Sequence, residues 1–234
     1  MAGRLELTTT PTTRVTATTH RLIASRYPTV GIFDTVASPE DVAALFELEG
    51  WTSDRLSAEM GRLETIPLAE WVVGVQGASI IMAAFCYPSD DGCRFNDAEV
   101  GAWYCALDLD TAIAETVHHH SQRLLKAGML HARIQMRQLT STVDALFHDI
   151  RGQVLTRPAL YDPNSYAASQ AFGSKLRSGG SNGITYDSVR RAGGECLVVF
   201  RPKLLPAALQ GDHLEYLWNG TPTPAVSRLT SAVS

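Results

Sequence analysis

The stretch from Gly92 to Glu115, GCRFNDAEVGAWYCALDLDTAIAE, constrains this chain more than any other. GAWYCAL is short, apolar and rich in aromatic character, so it reads as a buried strand. Asp108 and Asp110 then supply carboxylates suited to a helix start, and a helix is expected from about Asp110 to Ala127, closed by Gly128. A turn, a strand and a helix this close in sequence must fold as one unit. That unit carries three side chains with chemical potential: Arg94 in the turn, Tyr104 in the strand and Glu115 in the first turns of the helix.

Around it, HRLIAS and TVGIF read as short strands. Ser38 followed by Pro39 opens a helix with Val42, Leu45 and Phe46 on one side. ASIIMAAFC reads as a buried strand, and two extended segments follow the central helix at about 131–138 and 142–149. Pro163 starts another helix, which runs to about Arg177 and is stopped by Gly179 and Gly180. ITYDS, ECLVVFRP and HLEYLW read as strands. Strands outnumber helices without alternating regularly with them, which favours an α+β fold over a doubly wound sheet.

A 234-residue chain with 45% hydrophobic and 19% charged residues fits one domain with a continuous core. The Thr-rich residues 1–19 and the Thr, Pro, Ser and Ala-rich residues 221–234 are expected to be flexible, leaving a folded unit of 20–220. The net charge of −4 argues against direct nucleic-acid binding, so any anionic ligand must be met by a few placed arginines. Cys86, Cys93, Cys105 and Cys196 form no CxxC pair, which fits reduced thiols better than a disulfide framework or a zinc site. With no membrane-length apolar run and no secretory pattern, a cytoplasmic protein is expected.

Periodicity sets Ile113, Val117, His120 and Leu124 on one stripe of the central helix, with Glu115 nearly opposite. By pattern alone Glu115 is a solvated surface residue; the alternative is that this side borders a cleft walled by Tyr104. Arg21 and Arg94 likewise read either as surface ion-pair residues or as anion ligands, and Tyr104 as core or pocket wall. His118-His119-His120 follows Glu115 at Glu-x-x-His spacing, yet no second such pair exists for a di-iron site, and no metal is expected. Walker and Gly-x-Gly-x-x-Gly patterns are absent, and Ser188 lies in no G-x-S-x-G pattern. Trp51, Trp71 and Trp218 read as packing residues.

Taken in order, His20-Arg21-Leu22, Gly92-Cys93-Arg94-Phe95-Asn96, Tyr104 followed by Glu115, and Gly183 through Ser188 resemble the RES domain family, named for its arginine, glutamate and serine. Two departures stand out: Asp187 occupies the place of the usual proline before the serine, and Asp97-Ala98-Glu99 replaces a proline and glycine. The resemblance covers about 20–220. It implies an ADP-ribosyltransferase-like fold, with mostly antiparallel sheets around a cleft, and an NAD-consuming toxin whose partner is an Xre-type helix-turn-helix antitoxin. It implies catalytic roles for Glu115, Arg21 and Ser188, and substrate contacts from Arg94, Asn96 and Tyr104. Arg26 and Tyr27, close behind Arg21, either meet the adenosine half or form a structural turn. NAD is then a substrate, and no cofactor is expected.

These residue types suit the chemistry. Nicotinamide leaves as a neutral molecule without being protonated, so no general acid is needed and one carboxylate can stabilise the cationic ribose. Arginine supplies planar donors for the pyrophosphate. Ser188 is given a hydrogen-bonding or loop role, not a covalent one. Water, phosphate or a protein side chain remains open as the acceptor. Rival readings are a catalytically silent interaction module and a toxin acting on RNA, the latter disfavoured by charge.

Overall fold

The computed structural model describes residues 10–27, 32–35, 38–42, 44 and 63–229. Among the described residues, the strands are β1 Thr12–Ala24, β2 Trp103–Ala106, β3 His131–Asp149, β4 Gly183–Asp187, β5 Glu195–Val199, β6 Leu209–Asn219 and β7 Ala225–Leu229. Between them run the helices α1 Ile32–Thr35, α2 Ala78–Cys86, α3 Leu109–Lys126 and α4 Ala167–Ser178. The architecture is α+β, as the strand count predicts. The strand order is β1-β2-β5-β4-β3-β6-β7, and an additional β1–β3 pairing closes the first five into a ring. Every pairing is antiparallel except β3–β4.

Closure is possible because β3 is long enough to serve two neighbours. Its later part pairs β1 from Thr12↔His148 to Ala24↔Met136, and its earlier part pairs β6 from His131↔Asn219 to Thr140↔Leu209, with an irregularity between Arg137 and Leu139. The two extended segments expected around 131–138 and 142–149 are thus one strand. Side chains alternate across a strand, so the ring divides the core. Val15, Trp103, Leu139, Phe147 and Val199 turn to one side and meet Ile81, Met82 and Phe85 of α2. Ala106, Met136, Ile184, Cys196 and Tyr216 turn to the other, where α3 and α4 pack.

Several expectations are corrected by this arrangement. ASIIMAAFC is the helix α2, not a strand. A run apolar but for Ser79 has no period to choose between the two, and its alanines tip it towards helix while neighbours cover it on several sides. The sheet also overruns the boundaries drawn from composition. β1 begins at Thr12, inside the stretch expected to be loose, because β-branched threonines suit a paired strand, and β7 recruits Ala225–Leu229 from the expected tail. Pro163 lies in a turn where Asp162 Oδ1 accepts from the amides of Asn164 and Ser165, and α4 starts only at Ala167. In TVGIF, residues 29–31 lie outside the described residues, and Ile32 opens the single-turn α1. Ser38 does cap the next turn, its Oγ accepting from the Asp41 amide at 3.1 Å; Leu45, Phe46 and Trp51 lie outside the described residues. Trp71 and Trp218 are buried, as expected.

The turn that precedes β2 is set by a close approach. A Cβ at Gly173 of α4 would lie 2.1 Å from the Phe95 carbonyl oxygen. Gly173→Ala is therefore expected to push α4 off this turn and lower stability by about 1–3 kcal/mol, the usual cost of overpacking, read as a reduced urea midpoint.

Candidate functional site

Glu115 is half-buried and hydrogen-bonded rather than a freely solvated surface residue. The apolar stripe of α3 packs on the sheet, and the β4–β5 loop covers the opposite side, so the helix is held from two directions. Asp108 caps α3, accepting from Thr111 N at 2.8 Å and Thr111 Oγ1 at 2.7 Å. Arg191 of the loop reaches that same cap, lying 3.3 Å from Asp108 Oδ2 and donating to Thr111 Oγ1 at 3.0 Å. Gly194 makes the approach possible, since a Cβ there would fall 2.5 Å from Thr111 Oγ1.

This clamp brings Ser188 to Glu115. Ser188 Oγ donates to Glu115 Oε1 at 2.6 Å and accepts from the amides of Arg190 and Arg191, each at 3.1 Å. The Ser188 amide donates to Gly194 O at 2.8 Å, fixing the backbone as well. The buried Cys196 Sγ lies 3.8 Å from the same carboxylate oxygen. Burial, and then the nearby Glu115, push the Cys196 thiol well above its ordinary range, so it stays protonated and donates. Among the described residues Glu115 Oε2 has no donor, which leaves it for a ligand. Asp187, the departure beside Ser188, is used too: its Oδ2 accepts from Gly152 N at 2.7 Å and ties the loop to the turn after β3.

Arg94, Asn96 and Tyr104 form a second knot. The Tyr104 hydroxyl accepts from Phe95 N at 2.8 Å and donates to Asn96 Oδ1 at 2.8 Å, while Asn96 Nδ2 donates to Asp97 O at 2.7 Å. Arg94 is only 6% exposed; Nη1 donates to the carbonyls of Leu160 and Asp162, both at 3.1 Å, and its guanidinium lies 4.7 Å over the Tyr166 ring. Those contacts hold both groups in place. Tyr186 connects the two knots: burial raises its hydroxyl well above the ordinary value, Cys196 and Glu115 add to that, and Arg94 opposes it.

Arg21 approaches from the other sheet face. Its Nη1 donates to the Tyr104 carbonyl at 2.9 Å, its guanidinium stacks 4.7 Å over Trp103, and its Nε is buried without a partner. Burial lowers the pKa of this guanidinium, which Cys105, Cys93 and Tyr104 partly offset. Arg26 and Tyr27 stack on each other at 5.2 Å with Tyr27 51% exposed, and neither touches Glu115 or Arg21. Glu115 and Ser188 are thus joined directly, Arg94, Asn96 and Tyr104 form the adjoining wall, and Arg21 meets that wall through the backbone. Sequence reading missed Cys196, Tyr186 and Arg191. The register Tyr186↔Cys196 puts the first two on one face, but that pairing is invisible before the strands are matched. Among the described residues no cluster of His, Cys, Asp or Glu could hold a metal; His118 and His119 pack edge to face, and His120 packs on Trp218.

An uncharacterized Sinorhizobium fredii protein, y4oC, is 30% identical over 207 residues, spanning 86% of this chain and 83% of its own. The crystal structure of the M. tuberculosis MbcT-MbcA toxin-antitoxin complex contains a chain of 15% identity that superposes with a TM-score of 0.45, covering 86% of each chain. Residues 69–219 match the RES domain, a span that takes in Arg94, Asn96, Tyr104, Glu115 and Ser188 and leaves Arg21, Arg26 and Tyr27 outside. By that match, across well over half its length, the chain belongs to the RES domain family.

Proposed function

We propose that this protein consumes NAD by cleaving the nicotinamide–ribose bond, and that it acts as the toxin of a toxin–antitoxin pair. The observation that carries the reading is the half-buried Glu115 carboxylate, gripped through Oε1 by Ser188 and open at Oε2. Membership of the RES family supports it. A carboxylate 4 Å from a developing unit charge is worth on the order of 4 kcal/mol at an effective dielectric near 20, or roughly a thousandfold in rate. Its orientation is fixed before substrate arrives, so little reorganisation opposes that gain.

The other residues take roles that follow from their contacts. Ser188 positions Glu115. Tyr104, through its ring, and Arg94, through the segment it anchors, shape the wall beside the carboxylate. Arg21 offers a cation with an unspent donor for the ligand's phosphates. The acceptor is water in a glycohydrolase, phosphate in a phosphorylase or a protein side chain in an ADP-ribosyltransferase, and the first two need only a small molecule behind the ribose. An Xre-type helix-turn-helix antitoxin is the proposed protein partner, acting by covering this cleft.

Purified protein incubated with NAD, with and without phosphate, is expected to release nicotinamide, and Glu115→Gln to lose roughly a thousandfold of that rate. Equal rates for the two proteins, or no release by either, would return the chain to the class of silent interaction modules. Ser188→Ala removes one hydrogen bond to a charged acceptor, worth about 1.5–3 kcal/mol, and should slow release roughly ten- to hundredfold at unchanged folded yield. Tyr104→Phe separates scaffold from chemistry. It should cost about 1–3 kcal/mol in urea unfolding, because the Phe95 amide and Asn96 lose their partner.

A further inference from the structure

Among the described residues, buried polar atoms without partners include Glu70 Oε2, Trp103 Nε1 and Arg190 Nε, and a further group gathers where β1 meets β3. Arg21 Nε, Arg137 Nε and Nη1, and Ser141 Oγ all lack a hydrogen-bond partner, as does Ser25 Oγ just past the end of β1. In the β1–β3 ladder Thr19 opposes Ser141, Arg21 opposes Leu139 and Ile23 opposes Arg137. Opposed residues share a face, and so does every second residue along a strand. Arg21 and Arg137 are therefore diagonal neighbours on the same side, with Cα atoms about 7–8 Å apart or closer.

Arg137 is 2% exposed, and its Nη2 donates to the carbonyls of Ser25 at 3.2 Å and Tyr27 at 2.5 Å. Among the described residues neither Arg137 nor Arg21 is paired with a carboxylate. Two guanidinium groups withdrawn from water, close together and without a counter-charge, oppose folding unless something anionic joins them. Buried donors without acceptors are rare in native proteins, and a bound group or ordered water usually accounts for them.

We propose that Arg137, Arg21 and the Ser25 hydroxyl form a buried oxyanion site that takes a diphosphate group. Two planar cations on one face suit an extended anion with several oxygens better than a single carboxylate. The identity of that group as the dinucleotide's own diphosphate rests on the NAD reading; the anion site itself does not. Arg137 then joins Arg21 in that role, while Arg94 Nη1 is committed to the carbonyls of Leu160 and Asp162.

The test is binding, read without turnover. Inorganic diphosphate, titrated at constant ionic strength against a chloride control, should raise the melting temperature saturably. Arg137→Lys should weaken the midpoint about tenfold or more, because a point charge replaces a planar fork, and Ser25→Ala should weaken it severalfold. Arg137→Met should abolish the response while keeping or raising the ligand-free melting temperature, since an unpaired buried charge has gone. The proposal is overturned if Arg137→Lys and Ser25→Ala bind diphosphate like the parent, or if the parent shows no response, which would mean that water alone completes these donors. If Arg137→Met does not fold, the Lys and Ser25 variants decide. NAD titrated onto the Glu115→Gln protein identifies the source: parallel loss of NAD affinity on adding Arg137→Lys assigns the site to the dinucleotide, and retained NAD affinity beside lost diphosphate binding assigns it to the free anion. Absence of nicotinamide release by the parent leaves these binding results intact.

Discussion

The ladder between β1 and β3 governs this structure. It runs from Thr12↔His148 to Ala24↔Met136, and it turns an open sheet into a closed five-strand ring by joining two distant stretches of chain. Everything placed on the strands is thereby assigned to one side or the other. Arg21, Arg137 and Trp103 belong to one side, and Tyr104, Tyr186 and Cys196 to the other. A slip of one residue in that register would exchange the faces and dismantle both groups.

Between the two faces lies the short β2. It pairs with β1 only at His20↔Ala106, so β1 and β2 diverge beyond that point. Arg21 uses the divergence, reaching the Tyr104 carbonyl from one side while the Tyr104 phenol holds the Phe95 amide on the other. One residue thus transmits position in both directions. The Glu115 carboxylate is held by different means, through a loop clamped to its own helix cap by Arg191 and Asp108. The clamp itself is half-exposed, so its ion pair contributes modestly; the geometry it enforces on Ser188 is the larger consequence.

How much of this was legible depended on whether the signal was local. The turn, β2 and α3 could be read because capping aspartates, a closing glycine and a short apolar run lie side by side. Asp108 caps as expected, and Gly128 takes the left-handed backbone that ends the helix. Glu115 could not be placed by periodicity, which registers one buried stripe and is blind to a loop arriving from residues 188–194. Only the resemblance linked Ser188 to it. ASIIMAAFC reads as a strand because a run that is apolar but for Ser79 has no phase, whereas the structure makes it α2. Arg137 was passed over altogether: in IQMRQLT it alternates with apolar neighbours like any solvated strand residue, and only a strand paired on both sides buries that position.

Arginine on a doubly paired central strand has few stable solutions. It can point outward to water, find a carboxylate, or face a polar ligand; Arg137 is 2% exposed and, among the described residues, has only two backbone carbonyls. A chain selected for stability alone would place Met or Leu there, and the same holds for Arg21 stacked on Trp103. Both unfavourable cations sit on one face, beside the splayed β1–β2 edge that leads to Tyr104. Glu115, by contrast, is fully oriented on Oε1 and open on Oε2. A single ligand relieving both conditions would carry negative charge at one end and develop positive charge at the other, as the dinucleotide of the proposed reaction would.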